Sequence, residues 1–281
     1  MCKIKYVIGL LCLLTITSCS NKIAYNYLDW AVMWQVNKYV DLNTQQKQEA
    51  KRAINTFHAW HKTTQLPKYA QFFKRAKPIL LNNPTASQLH AFTDDMQIFI
   101  DDALIQLIPT IISITQTLDE KQVSQILKKV DKDNKKYKKK YVDISEKKLL
   151  KARQKQLDKY LKKLIGDLTR EQKAWLTQWS IDLADYEGLM LQQQYQFRND
   201  YQNILRTRKD TDKTTAGIKS LMLYKSDDWT TELRQKIDIN QAQSFALLEK
   251  IFENLTEKQT KEMENTLDKY ITMFEDLTTS G

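Results

Sequence analysis

Apolar side chains recur every three or four residues along most of this chain, and strict period-two alternation is hard to find. Trp175, Trp179, Leu183, Tyr186 and Met190 form one such stripe; Phe245, Leu248, Ile251 and Phe252 form another, and Tyr27, Trp30 and Trp34 a third. With 3.6 residues per turn, that spacing puts each set on one face of an α-helix. The punctuation agrees. Leu42-Asn43-Thr44-Gln45-Gln46, Leu118-Asp119-Glu120-Lys121-Gln122, Leu168-Thr169-Arg170-Glu171-Gln172 and Leu255-Thr256-Glu257-Lys258-Gln259 each place a capping residue after Leu and Gln three positions later. Pro84-Thr85-Ala86-Ser87-Gln88 is a fifth copy with Pro in place of Leu. These read as capping boxes. Asn43, Thr85, Asp119, Thr169 or Thr256 accepts from an orphan N–H of the first turn, and Gln at N3 reaches back to the cap. Between caps the spacings are 42, 34, 50 and 87 residues, too irregular for a solenoid period.

This pattern predicts an all-α fold: an elongated multi-helix bundle with one long lysine-rich helix or helical hairpin. Nothing interrupts the helical pattern from Asp119 to about Ile165 except a cap at Ser145. A continuous helix there would be roughly 70 Å long at 1.5 Å per residue. All four prolines fall within 67–109, where short or kinked helices are expected. Pro67 and Pro84 suit helix starts, and Pro109 should bend an otherwise apolar helix. Only five glycines and four prolines occur in 281 residues, which argues against turn-rich β-architectures and glycine-rich phosphate loops.

The first residues read as an export signal. Lys3 and Lys5 precede an apolar run from Val7 to Ile16, too short to span a bilayer. The run ends in Ile16-Thr17-Ser18-Cys19, which resembles the lipobox of bacterial lipoproteins. That resemblance implies cleavage before Cys19, diacylglycerol on its thiol and acylation of the new amine. Residues 1–18 would then be the removed signal and 19–281 an all-helical periplasmic domain, any subdivision falling near 118 or 166. Cys2 and Cys12 would leave with the signal, so Cys19 would be the single mature cysteine, with no disulfide partner. An uncleaved signal anchor is the other reading. Several acyl chains anchor stably where one is marginal. Ser20 after the cysteine, where Asp would favour retention, implies the periplasmic leaflet of the outer membrane, with the inner membrane as the alternative. No second apolar run reaches spanning length; Leu104 to Ile114 is too short and carries Gln106 and Pro109.

Charge is concentrated. Residues 128–163 hold sixteen Lys or Arg against five Asp or Glu, a net of +11 in a chain whose total is +10. Val123, Leu127, Val130, Tyr137, Tyr141 and Ile144 form an apolar stripe there, with lysines elsewhere. Lys128, Lys129, Lys132, Lys135, Lys136, Lys138, Lys139 and Lys140 are the candidate partner-binding residues. Lysine is a flexible point charge suited to non-specific attraction, and only Arg153 could offer a bidentate fork. Acidic or unfolded periplasmic proteins, or anionic lipid, are the partners such a face would attract. Nucleic acid reads the same electrostatically, and the envelope address argues against it. A solvated, solubilising helix face is the plainer alternative.

Other chemistry is sparse. No Gly-x-Ser-x-Gly elbow, Walker loop, dinucleotide fingerprint or His-Glu-x-x-His helix appears, so neither catalytic residues nor a cofactor are expected. His58 and His61 lie three apart, where both imidazoles could face one metal, but His90 is the only other imidazole, and no metal site is assigned. The adjacent pairs Asp94/Asp95 and Asp101/Asp102 point apart on a helix and make poor acid/base dyads. The aromatic start (Tyr25, Tyr27, Trp30, Trp34, Tyr39) suits either headgroup contact or a core helix packed on Phe57, Trp60, Tyr69 and Phe72; the helical spacing favours the core.

Tyr25-Asn26-Tyr27-Leu28-Asp29-Trp30, Tyr39-Val40-Asp41-Leu42, Trp60-His61 and Leu66-Pro67-Lys68-Tyr69-Ala70 resemble the N-terminal signature of an uncharacterised family of proteobacterial lipoproteins. The resemblance implies a lipobox, a helical body of this length and no assigned activity. The Leu-Thr-x-x-Gln copies at 168–172 and 255–259 also look like those of the small Spy/CpxP-type periplasmic chaperones, which implies client binding through basic and apolar surface; shared capping chemistry is the alternative. The function expected is a lipid-anchored, non-enzymatic helical binding protein acting in envelope maintenance, or a structural subunit of an envelope complex.

Overall fold

The computed structural model describes Tyr25, residues 28–223 and residues 228–279. The signal segment, Cys19 and Tyr27 lie outside the described residues. The chain folds as an all-α multi-helix bundle, with no strand among the described residues. In order these are α1 (Leu28–Val36), α2 (Thr44–Trp60), a π-helical turn (His61–Gln65), α3 (Leu66–Leu80), α4 (Ala86–Thr117) and α5 (Glu120–Tyr137). A second π-turn (Lys138–Val142) leads to α6 (Glu146–Ile165), α7 (Arg170–Asp182), α8 (Glu187–Arg206), α9 (Thr211–Met222), α10 (Thr231–Glu253) and α11 (Glu257–Thr279).

Five helices begin with the reciprocal capping box. Asn43, Thr85, Asp119 and Thr169 each accept from the N3 backbone N–H while the N3 glutamine accepts from the cap. Thr256 does the same with Gln259. Four of the glutamines go further, joining in two pairs. Gln46 Nε2 donates to Gln122 Oε1 at 3.2 Å, and Gln122 Nε2 returns a bond to Gln46 Oε1 at 2.7 Å. Gln172 and Gln259 exchange bonds of 3.1 and 2.8 Å in the same way. Each amide also donates to the backbone carbonyl just ahead of its partner's Leu. Gln46 reaches Thr117 O, Gln122 reaches Asp41 O, Gln172 reaches Asn254 O and Gln259 reaches Asp167 O. All four glutamines are buried, and both lone-pair directions and both N–H groups of each amide are engaged. Gln88, in the copy with Pro, is exposed and makes only the cap.

Each clasp sits in its own hydrophobic cluster. Leu42 and Leu118 join Met33, Ala50, Ile54, Ile126 and Leu127 around the α2–α5 clasp. Leu168, with Leu255 packed against it, joins the larger cluster built from α3, α4, α6, α7, α10 and α11. Gly166, at φ 78°, ends α6 in the left-handed region just ahead of the second clasp, a conformation glycine adopts without steric cost.

The structure corrects several expectations. Of the two forms expected for the lysine-rich stretch, the single continuous helix is not found: Asp143 to Ser145 separate the second π-turn from α6, the break falling at the Ser145 cap read from the sequence. The longest helix is α4, at 32 residues, and it runs on through Pro109. Proline removes the bond to the carbonyl of Ile105. Ile105 and Pro109 both face solvent, where water can take that carbonyl, while Ile108 packs against Ile204 and Ile218 on the opposite side. By length and composition α4 could cross a membrane, so its apolar stretch is longer than Leu104–Ile114; one face of it packs on α2, α9 and α10. The stripe from Trp175 to Met190 spans two helices. Asn240, fully buried on α10, holds the break open by accepting from Ala184 N–H at 2.7 Å and donating to Ala184 O at 2.8 Å.

Because the paired glutamines are buried and Gln88 is not, their truncations should differ. Gln122→Ala orphans its own cap N–H, the Asp41 carbonyl and the Gln46 amide, and is expected to cost about 2–4 kcal/mol. Gln88→Ala should cost less than about 1 kcal/mol, the ordinary value of a cap. Urea unfolding of the two variants measures the difference; equal losses would mean that the clasp adds nothing to the cap.

Candidate functional site

On α5 and its π-turn, Lys128, Lys132, Lys135 and Lys139 are all exposed at steps of four, three and four residues, one stripe along the helix. On α6, Lys148, Lys151, Lys155 and Lys159 repeat the arrangement. The eight make no ion pair among the described residues. The other lysines proposed from sequence are engaged: Lys129 and Lys136 pair with Asp133, and Lys138 with Asp143. Lys140 lies over the Tyr141 ring at 4.6 Å. Lys129 also lies 4.3 Å from the Tyr39 ring centroid, and Tyr39 donates to Asp133 at 3.1 Å. Lys129, Asp133 and Tyr39 therefore tie α5 to the loop entering α2.

The arginines of this region serve the bundle. Arg153 forms a bidentate pair with Glu187, Nε to Oε1 at 3.2 Å and Nη2 to Oε2 at 2.9 Å, both side chains over nine-tenths buried, so its fork is spent inside. Arg198 grips Asp131 through two nitrogens, and Arg208 binds the carbonyls of Leu118 and Leu205. Buried forks need fixed carboxylate geometry, whereas free lysines at the surface keep mobile charge available to solvent or partner.

The aromatic start divides. Tyr25 packs inward, its ring 4.5 Å from His58 and 5.8 Å from His61. Trp30 and Trp34 point outward, 64% and 54% exposed and stacked on each other, so the core packing expected for them does not occur. The inner face of α1 is supplied instead by Val32, Met33 and Val36.

His61 Nδ1 is hydrogen-bonded to Tyr25 Oη at 3.0 Å and its Nε2 to Tyr69 Oη at 3.2 Å. Burial, reinforced by the neighbouring His58, lowers the His61 pKa to about 4. Burial pushes both tyrosines up to about 12. At neutral pH this is an uncharged chain of three rings, with one phenol donating to the imidazole and the other accepting from it. The π-turn that begins at His61 connects α2 to α3 at this point. His90 is remote in role: its ring meets Phe245 at a tilt, centroids 5.4 Å apart, and it meets Asp94 at 3.4 Å. Among the described residues no group of three His, Cys, Asp or Glu is placed to hold a metal ion.

The adjacent carboxylates serve different neighbours. Asp95 pairs with Arg75 at 2.8 Å and Asp102 with Lys68 at 2.9 Å; Asp101 accepts from Gln97. Hydrogen bonds from Lys68 and then Gln65 hold Asp102 below the usual carboxylate range. A groove of about 590 Å³ between α3 and α4 is floored by Phe72, Ile98 and Phe99, but the cations Lys68 and Arg75 at its rim are the ones already paired.

His61 gives stability a pH dependence with a definite sign. Its folded pKa of about 4 lies below the ordinary 6.5, so between those values the unfolded chain holds the proton and the folded chain does not. Stability should therefore fall as pH drops from about 6.5 to 4, by on the order of 3 kcal/mol at most, with no further slope from this group below pH 4. His61→Phe should flatten that part of the profile in urea unfolding at successive pH values. An unchanged slope would assign it to other groups.

No curated protein and no solved structure matches the chain, so the likeness of its Leu-Thr-x-x-Gln copies to the Spy/CpxP-type chaperones rests on those motif residues alone. One family model does match, over residues 38–234, from the start of the loop after α1 into the start of α10. That span covers more than half of the chain and takes in the α2–α5 clasp, both lysine stripes and the α3–α4 groove. The chain belongs to the family of unknown function DUF6279.

Proposed function

We propose that this protein is a lipid-anchored, non-enzymatic binding protein of the cell envelope. It is tethered through Cys19 to the periplasmic leaflet of the outer membrane and captures acidic or unfolded proteins on its lysine stripes. The observation that carries this reading is the split between cations: Arg153, Arg198 and Arg208 are spent inside, while eight lysines on α5, its π-turn and α6 are exposed without a carboxylate partner among the described residues. Rows of mobile charge give long-range, salt-sensitive attraction without demanding one ligand geometry. That suits chaperone-like or envelope-maintenance work better than recognition of a small molecule.

The second reading is a structural subunit of an envelope complex. It is favoured by Ile98 and Ile105, exposed two turns apart on one face of α4, where a partner helix could lie. An apolar contact of that kind would hold at high salt.

A photoreactive residue at position 132 of the full-length chain, in cells, tests the first reading. Acidic proteins should be captured, and capture should be lost when Lys128, Lys135 and Lys139 are changed to Gln or when isolated envelopes are washed at roughly 0.5 M salt before they, rather than the cells, are irradiated. The three exposed substitutions should change stability by no more than about 0.5 kcal/mol each. Adducts that persist through both treatments would remove the basic-face reading and favour the subunit.

A further inference from the structure

The outward face of α1 is assembled from features that have no role inside the bundle. Trp30 and Trp34, one turn apart, are exposed over more than half their surface and stacked with ring centroids 6.2 Å apart. Lys38 Nζ sits 3.0 Å from the Trp34 ring centroid. Ala31 between them is also exposed. On the other side of the helix Val32, Met33 and Val36 are fixed in the cluster with Ile54 and Ile126, so the tryptophans cannot roll inward without uncovering that cluster. A helix apolar on both faces suits a site where one face meets protein and the other an apolar or interfacial medium.

The length of chain ahead of α1 says what that medium is. Tyr25 is pinned to His58 and His61, and it follows Cys19 by six residues and the apolar run Val7–Ile16 by nine. Six residues span at most about 22 Å when fully extended, and Trp30, eleven residues from Cys19, lies at most about 40 Å from it. Whether the anchor is acyl chains on Cys19 or the apolar run itself, α1 is held close to the bilayer surface. Indole and a lysine ammonium are the side chains that partition to this zone, the ring at the headgroup–acyl boundary and the cation toward phosphate.

We propose that α1 is a membrane-docking element: Trp30 and Trp34 insert at the headgroup boundary of the bilayer that holds the N-terminus, with Lys38 facing lipid phosphate, and so set the bundle's orientation on the membrane. This rests on the anchoring half of the function proposed above and is independent of the lysine stripes.

The test uses full-length protein reconstituted in vesicles of phosphatidylethanolamine and phosphatidylglycerol, with bromine on the acyl chains near the glycerol. Bromine quenches only nearby indoles, so the emission of two of the six tryptophans should be quenched. That quenching should disappear in Trp30→Leu/Trp34→Leu. Flotation of both proteins with the vesicles shows anchoring separately, and unchanged helical circular dichroism shows the fold. An anchored, folded protein whose tryptophans are not quenched, or whose quenching survives the double substitution, overturns the proposal. So does a wild-type protein that is unquenched and dimeric when the variant is monomeric, because the pair would then cover a second copy of the chain. Failure of the wild type to float would instead sink the anchor, and with it the tether on which α1's position depends.

Discussion

Two reciprocal glutamine pairs set the terms for the rest of this bundle. A helix start leaves several backbone N–H groups without partners, and a capping box satisfies them locally. Here the box glutamine also gives both its N–H groups to a second box, so two helix starts far apart in sequence must meet face to face. The Gln46–Gln122 clasp fixes α2 against α5, and the Gln172–Gln259 clasp fixes α7 against α11. Burying four amides is tolerable only because every donor and acceptor is used, which also makes the arrangement intolerant of sliding. The Leu of each box then has a defined place in a hydrophobic cluster, and the helices between boxes fill in around them.

Much of this was legible along the chain, and the physics of each feature explains why. Capping is local, so Asn43, Thr85, Asp119 and Thr169 could be read from four consecutive residues. Pairing is not local. Nothing in the four Leu-containing copies says which meets which, and the Pro-containing copy, whose Pro84 is buried while its Gln88 stays exposed, shows that the cap alone does not make a clasp. Periodicity likewise reports the face of a helix and not its ends. The stripe through Trp175 and Met190 continues unbroken across a gap that exists because Asn240, over fifty residues later, supplies the hydrogen bonds the backbone gives up. The lysine-rich stretch is interrupted at Asp143–Ser145, where the Ser145 cap marked the one break in its pattern. Pro109 lies within α4 without ending it, since the Ile105 carbonyl that it leaves unpaired faces water.

The division of labour among polar side chains was similarly half visible. A count of lysines locates the basic segment, but only packing separates the free row Lys128, Lys132, Lys135, Lys139 from Lys129, which is locked to Asp133 and Tyr39. The aromatic start reads as core by spacing. Its actual split, with Tyr25 inward on the two histidines and Trp30 and Trp34 outward, depends on α1 filling its inner face with Val32, Met33 and Val36. The resulting molecule has a pinned aromatic end next to its N-terminal segment, and cationic rows carried on two separate helices. The outward tryptophans and the lysine rows are thus carried on a bundle whose helix starts the clasps hold together.

The clasp is tested most directly by a double-mutant cycle on Gln172 and Gln259 in the full-length chain, each replaced by Leu, with Gln46 and Gln259 as the cross-pair control. Reciprocal bonding requires a coupling energy of about 1–3 kcal/mol within the pair and none across pairs. Simple additivity of the Gln172 and Gln259 losses would contradict it, leaving four independent caps where this account places two clasps.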